Sequence, residues 1–198
     1  MTNQEAAEKI MTQFTGSTFL CNEFRGEVTL EFDRGLIEDV CRYAKEELGF
    51  SFLVDVSSVD NIETKLEEKG RFEVVYELYS YVDYICLRLK IRVPEENPLV
   101  KSVTSLWRGA DWHEREIYDM MGIKFENHPD LRRILMWEGY PYFPLRKDFP
   151  LAGKPTEIPD VAFSQAAPLE GGPFVTRPAD HSYQREPRPK TFQPGDMD

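Results

Sequence analysis

The sequence predicts an α+β fold, in which helices pack on a mainly antiparallel or mixed sheet of about four strands and a long extended C-terminal strap follows. Apolar residues recur at helical spacing in two segments of the N-terminal half. Four further segments are β-rich or alternate apolar with polar residues, as half-buried strands do. Nine of the 14 prolines stand at or beyond Pro150, which excludes regular helix and central strand from the end of the chain.

Two helices are predicted in the N-terminal half. The first lies at the start of the chain, where Thr2 and Glu5 have the spacing of a capping box, in which each side chain binds the other's free backbone N–H. The second runs from about residue 34 to residue 48. Its apolar stripe predicts the buried face, which consists of Leu36, Ile37, Val40, Cys41, Ala44 and Leu48.

The predicted elements follow the order helix, strand, helix and then three strands. The first strand, at about residues 28–32, lies between the helices and alternates apolar with acidic or hydroxyl side chains. Residues 51–59 are β-rich, and residues 72–81 and 84–93 alternate clearly. Only two residues separate the last two segments, so they are predicted to form a hairpin.

Composition and charge exclude several classes of function. The net charge of −11 argues against nucleic acid as a partner, because phosphate binding needs a basic surface. Three widely spaced cysteines are too few for an iron–sulfur cluster or a structural zinc site. His113 and Glu114 resemble the start of a zinc-protease helix, but Ile117 stands where the second histidine is required. No segment approaches the roughly 18 apolar residues of a membrane span.

A third, short helix is predicted to begin with Asp111 as its N-cap and to end at Gly122. On this helix Arg115 and Asp119 are four residues apart and can form an ion pair. Alternating charges usually mark a solvated helix face. The density of the motifs that follow favours a more specific role for this one.

The segment after the helix has the composition of a protein interface. Between His128 and Asp148 it carries one net positive charge, within a chain of −11, and four aromatic residues, with Phe149 next in the chain. Arg132 and Arg133 stand together in it, and arginine guanidinium groups match carboxylates bidentately. The sequence therefore predicts three parts: an α+β domain at residues 1–125, a motif-bearing connector at 126–152 and the proline-rich strap at 153–198.

Three motifs carry a family resemblance. They are E-R-E-x-x-D followed by two apolar residues and G-I-x-F at 114–125, H-P-D-L-R-R-I-L at 128–135 and P-L-R-K-D-F-P-L at 144–151. In these motifs the chain resembles the C subunit family of NADH:quinone oxidoreductase, respiratory complex I, which includes the mitochondrial 30 kDa iron–sulfur protein subunit. It departs from the usual pattern at Met121, at Asn127 and over residues 136–143, which concerns packing and loop shape.

The resemblance implies a cofactor-free structural subunit of the peripheral arm, on the cytoplasmic side of the inner membrane and held there only through the complex. FMN, the iron–sulfur clusters and quinone would belong to other subunits. The implied partners are the D subunit and the cluster-bearing B and I subunits, with the G subunit as a further candidate. In the strap, apolar residues are spaced like anchors for such partners, although a disordered tail is equally compatible with the composition.

No catalytic or metal-binding residue is expected, and twelve motif positions are the candidate interface residues. They are Glu114, Arg115, Glu116, Asp119, Gly122, His128, Pro129, Arg132, Arg133, Arg146, Lys147 and Asp148. Three alternatives stay open from the sequence. They are the equivalent subunit of a membrane-bound hydrogenase or ferredoxin-dependent quinone oxidoreductase, a hydrolase that uses Glu114 and Asp119 as an acid–base pair, and a free-standing interaction module.

Overall fold

The fold was described from a computed structural model, which describes residues 1–62, 64, 67, 70–151, 153 and 154. The elements, in chain order, are α1 (Asn3–Gln13), β1 (Leu20–Phe24), β2 (Glu27–Phe32), a 3₁₀ turn (Arg34–Leu36), α2 (Ile37–Glu46), β3 (Phe52–Asp60), β4 (Phe72–Ser80), β5 (Ile85–Val93), β6 (Leu99–Lys101), α3 (Ala110–Met121) and β7 (Lys124–Glu126).

The main sheet has five strands in the order β1-β2-β5-β4-β3. Strand β2 pairs with β5 in parallel, and the other pairs are antiparallel, so the sheet is mixed and the predicted α+β class is confirmed. The predicted hairpin of β4 and β5 is also confirmed, with Ser80 opposite Ile85. Strands β6 and β7 form a separate parallel pair that leads into and out of α3.

One strand of the sheet was not expected from the sequence. All five residues of β1 are exposed, so its sequence lacks the alternation of apolar and polar residues that reveals a half-buried strand. Its pairing with β2, in which Leu20 lies opposite Glu31 and Phe24 opposite Glu27, is what makes it a strand.

The core lies between the sheet and the helices. Leu87, Leu89 and Ile91 of β5 are completely buried. The predicted stripe of α2 is confirmed at Ile37, Val40, Cys41 and Ala44, which are completely buried, and at Leu48, while Leu36 is only partly buried. The capping box of α1 is confirmed as well, since the Thr2 hydroxyl accepts the Glu5 N–H and the Glu5 carboxylate accepts the Thr2 N–H.

Two helix starts differ from the prediction. The second helix begins as a 3₁₀ turn, in which the Asp33 side chain accepts the Gly35 N–H at 2.8 Å. In α3 the N-cap is Gly109, and Asp111, the predicted cap, lies in the first turn. The side chain of Asp111 instead faces the ring of His128, which belongs to the connector. The predicted helix end at Gly122 is confirmed, with a φ of +78°.

Residues Met1–Asp148 make up one compact unit. Apart from Gly153 and Lys154, the strap at 153–198 lies outside the described residues, and the predicted division at 125 and 152 stays a prediction. No described helix combines the length and the apolar character that crossing a membrane would need.

Candidate functional site

Asp119 is the centre of the contact between α3 and the connector. Its carboxylate is completely buried. Oδ2 accepts three successive backbone N–H groups, those of Ile134 at 3.0 Å, Leu135 at 2.7 Å and Met136 at 2.8 Å. Burial by itself raises the pKa of Asp119, but these N–H groups and Arg133 outweigh it and hold the pKa below its usual 3.8. The carboxylate is therefore ionised. It holds a turn of the connector through successive backbone N–H groups, in the way that a bound anion is held by such groups.

Arg133 ties the far side of that turn to the same helix. Its guanidinium donates to Asp119 Oδ1 at 2.6 Å and to the Asp119 carbonyl oxygen at 2.9 Å. It also donates to the carbonyl oxygens of Tyr140 at 2.6 Å and Tyr142 at 3.2 Å. The rings of Tyr140 and Phe143 lie over it at 5.7 and 5.2 Å. One side chain thus holds residues 133–143 on α3, and only 11% of that side chain is exposed.

Arg115 does not pair with Asp119, so the predicted ion pair is wrong. Its Nε donates to the Arg132 carbonyl oxygen at 3.1 Å and its Nη2 to that of Arg133 at 3.3 Å. The guanidinium also lies 5.1 Å from the Trp112 ring centroid. Arg115 and Asp119 each bind the connector separately, because its backbone groups are better partners for them than they are for each other. Glu114, Arg115 and Asp119 are all buried, so this part of α3 is not a solvated face.

The end of α3 is fixed by the second half of the connector. Arg146 Nε donates to the Met121 carbonyl oxygen at 2.6 Å, and the Leu145 N–H donates to that of Met120 at 3.2 Å. These bonds satisfy carbonyl groups that have no partner within the helix. The guanidinium of Arg146 lies 4.4 Å from the Phe143 ring centroid, above Gly122.

Two residues of this site were missed by the sequence reasoning, Asp60 and Arg71. The Asp60 carboxylate accepts the Lys147 N–H at 3.0 Å and binds Arg71, which is only 4% exposed, at 2.9 Å. Arg71 also bonds Asp148 at 2.9 Å. No sequence signal links them, because both lie more than 70 positions before the residues of the connector that they hold.

His128 and Glu114 form a second buried contact. The His128 side chain is completely buried, and its Nδ1 accepts the Asp130 N–H at 3.0 Å. Its Nε2 lies 3.3 Å from the Asp111 carbonyl oxygen and 3.9 Å from Glu114 Oε2. Glu114 Oε1 accepts the Val103 N–H at 2.8 Å. Burial raises the pKa of Glu114 to about 7, and the Asp111 charge adds to the rise, against Ser102 and the Val103 N–H, which favour the ionised form.

The remaining candidate residues are exposed. Glu116 and Pro129 face solvent, Arg132 is 64% exposed beside Asp130, and Lys147 and Asp148 contribute exposed side chains. Large apolar side chains stand among them, with Trp112 exposed at 61%, Leu135 at 62% and Leu145 at 58%. We call Trp112, Arg132 and Leu135 the candidate docking surface. Arg132 and Leu135 lie on the turn that Arg115 and Asp119 hold, and Trp112 lies against the Arg115 guanidinium.

The arrangement does not suit the hydrolase alternative. Asp119 is fully buried and its oxygens are committed to the connector, and Glu114 is equally inaccessible. In the part of the chain that the structure describes, no group of three or more His, Cys, Asp or Glu residues could hold a metal ion. The expectation that cofactors belong to other subunits stays a prediction.

Comparison with known proteins gives the family. Residues 30–155 match the family model described as the respiratory-chain NADH dehydrogenase 30 Kd subunit. The C subunit of the NADH-quinone oxidoreductase of Geobacter sulfurreducens is 44% identical over 155 residues, which cover 78% of this chain and 94% of that protein.

Two solved structures share the fold. The trypsin-resistant fragment (1–134) of Nqo5 is 33% identical, with a TM-score of 0.58, and the match covers 66% of this chain and all of that fragment. A chain of the membrane-bound sulfane sulfur reductase, an archaeal respiratory membrane complex, has a TM-score of 0.62 at 21% identity, covering 75% of this chain and 85% of that one. The match over residues 30–155, which contain all three motifs, shows that the chain belongs to the family of the respiratory-chain NADH dehydrogenase 30 kDa subunit, the C subunit family of NADH-quinone oxidoreductase.

Proposed function

We propose that this chain is a cofactor-free structural subunit that positions its neighbours in the peripheral arm of NADH:quinone oxidoreductase. It docks on the D subunit and on the cluster-bearing B and I subunits, with the G subunit as a further candidate. The other subunits carry electrons from NADH to quinone on the cytoplasmic side of the membrane. The family match supports the assignment to the complex.

The structural role is supported by the way the charged motif residues bond within the chain. Asp119, Arg115 and Arg133 make nine hydrogen bonds within this chain, seven of them to backbone groups of the connector and two between Arg133 and Asp119. Charged groups that are buried and hydrogen-bonded within the chain are not free to act on a substrate. Their effect is to hold one conformation of residues 132–143.

A connector that is held in one conformation suits a docking role. Binding costs less conformational entropy when the surface is already ordered before the partner arrives. The docking surface presents an aromatic ring, a guanidinium group and an aliphatic side chain to solvent, and Trp and Arg are residue types that dominate binding energies at interfaces. The buried charges of the motif therefore contribute to docking indirectly, because they hold the exposed residues of the docking surface in place.

The first test separates assembly from turnover. Arg133→Ala removes four bonds and leaves the buried Asp119 carboxylate without its cation, so we expect less assembled complex but normal NADH:quinone turnover per assembled complex. Arg42→Ala, which removes one exposed ion pair on α2, is the matched control and should change neither quantity. Normal assembly with abolished turnover would contradict the structural role.

The second test addresses the docking surface. Leu135→Glu places a charge on a side chain that is already 62% exposed, so the isolated chain should keep its stability while assembly of the complex falls. Val82→Glu, at a position 79% exposed in the turn between β4 and β5, is the control with the same chemistry. If the two variants assemble equally well, Leu135 is not part of the docking surface.

The partners themselves are identified by purification of the tagged chain from detergent-solubilised membranes. Recovery with a D-type subunit, cluster-bearing proteins and NADH:quinone activity supports the proposal. Recovery with a nickel–iron hydrogenase would favour the alternative complexes, for which the sulfane sulfur reductase contributes only a similarity of fold. Recovery of the chain alone would contradict a subunit role.

A further inference from the structure

A buried carboxyl group with an unused oxygen lies where α3 meets the start of the connector. Glu114 is completely buried, and Oε1 accepts the Val103 N–H at 2.8 Å. Among the described residues, Oε2 has no hydrogen-bond partner. A buried oxygen of this kind is costly as part of an ionised carboxylate and far less costly as part of a neutral acid.

The hydrogen bonds of the His128 ring show which protons it can offer to Asp111 and Glu114. Since Nδ1 accepts the Asp130 N–H at 3.0 Å, it carries no proton, and the ring is neutral with its proton on Nε2. That single N–H faces the Asp111 carbonyl oxygen at 3.3 Å, Asp111 Oδ1 at 3.4 Å and Glu114 Oε2 at 3.9 Å. An ionised Glu114, which the Ser102 hydroxyl and the Val103 N–H favour, would compete with Asp111 for this one N–H. A proton on Glu114 removes that competition.

The other elements packed around Glu114 supply no cation. Strand β4 contributes the buried hydroxyl of Tyr76, and α2 contributes the thiol of Cys41, both of which interact electrostatically with Glu114. Their pKa values are raised, chiefly by burial, so they stay neutral. The loop after β6 contributes Ser102 and the Val103 N–H. Within the described part of the chain, the groups that face Glu114 are therefore neutral or, in Asp111, negative.

We propose that Glu114 and His128 form a pH-sensitive latch on the connector, closed while Glu114 carries a proton and weakened when Glu114 ionises. In the closed form, neutral His128 accepts the Asp130 N–H and bonds the first turn of α3, so that residues 128–130 are held. When Glu114 loses its proton to solvent, two carboxylates face one imidazole N–H. Local opening then gives the Glu114 carboxylate access to water.

The pH range follows from the pKa of Glu114, which burial raises from 4.5 to about 7 in the folded chain. In an open form with an ordinary carboxyl, Glu114 ionises above pH 4.5. The closed form therefore binds more protons between pH 4.5 and pH 7, and it weakens as the pH rises through this range, with no further change above it. The latch is a property of the chain itself and does not depend on the proposed docking.

The experiment follows three NMR signals in the full chain. The Glu114 side-chain carboxyl carbon should titrate near neutral pH, and the His128 nitrogens should report a neutral ring with the proton on Nε2. Hydrogen-exchange protection of the Asp130 N–H should fall by about tenfold per pH unit between pH 5 and pH 7. Glu114→Gln should abolish that fall, and Glu116→Gln, at an exposed position of the same helix, should leave it unchanged.

Three results would overturn the latch. They are titration of Glu114 in the ordinary carboxyl range, a protonated His128 ring at neutral pH, and the same pH-dependent loss of protection in Glu114→Gln. The first two are measured on the unmodified chain, so they decide the matter even where the variant does not fold.

Discussion

Replacement of Gly122 by alanine is expected to weaken the attachment of the connector to α3. Gly122 ends α3 with a φ of +78°, a conformation that residues with a β-carbon adopt at a cost. A β-carbon placed there would lie 2.6 Å from Arg146 Nη2 and 2.7 Å from the Phe143 ring. Both are far shorter than a normal contact, so these two side chains of the connector must move.

The expected cost has two parts. The left-handed backbone conformation costs an alanine about 1–2 kcal/mol relative to glycine. Displacing an aromatic ring and a bonded guanidinium group is comparable to overpacking a core, which costs about 1–3 kcal/mol. Gly122→Ala should therefore lower the free energy of unfolding by roughly 2–5 kcal/mol, a large share of the stability of a domain of this size.

Urea unfolding followed by tryptophan fluorescence measures this loss. Gly26→Ala is the matched control, because its φ of +81° is nearly the same and no described atom lies within 4 Å of the added β-carbon. The control should lose only the backbone part, about 1–2 kcal/mol. If both variants lose the same free energy, the contact of Gly122 with Phe143 and Arg146 has no energetic role and the reasoning fails.

Three further predictions concern single side chains. Asp119→Asn should cost about 3–5 kcal/mol because it leaves a buried guanidinium uncompensated. The lowered pKa of Asp119 contributes stability above pH 3.8 that is lost as the pH falls further, so the free energy of unfolding of Asp119→Asn should depend less on pH in the acid range. Urea unfolding at a series of pH values checks this. Glu114→Gln should remove a loss of roughly 3 kcal/mol between pH 4.5 and pH 7, and equal slopes for variant and parent would contradict it. A thiol reagent should modify exposed Cys21 and Cys86 first, and buried Cys41 only after unfolding; equal rates for all three would count against the described core.

The elements that the sequence predicted well are those whose periodicity reports burial directly. Strand β5 alternates between a buried and a half-buried face over its last seven residues, so its pattern alone identified it. Strand β1 is exposed at every position, so only its pairing partner reveals it. The N-cap of α3 was misplaced because Asp111, which has the right side chain for a cap, faces His128 instead.

The sequence drew attention to the motif residues of α3 and the connector, but it did not predict their contacts. The motif residues do gather at the contact of α3 and the connector, where Arg133 and Asp119 meet at 2.6 Å. The helical spacing of Arg115 and Asp119 suggested a local pair worth a few tenths of a kcal/mol. The contact that forms instead, a buried carboxylate bound by three backbone N–H groups and a guanidinium, is far stronger than that local pair. It requires residues 133–136 to fold back against Asp119, which the local sequence does not show.

The sequence by itself determined the α+β class, the helical and strand faces and, through the motifs, the family. These follow from local patterns, because burial periodicity and motif residues are properties of neighbouring positions. Only the tertiary structure decided that Asp60 and Arg71 hold Lys147 and Asp148, and that Glu114 is buried beside His128. The physical reason is that the charge state and partners of a buried group depend on desolvation and on distant segments, and neither is recorded in its local sequence.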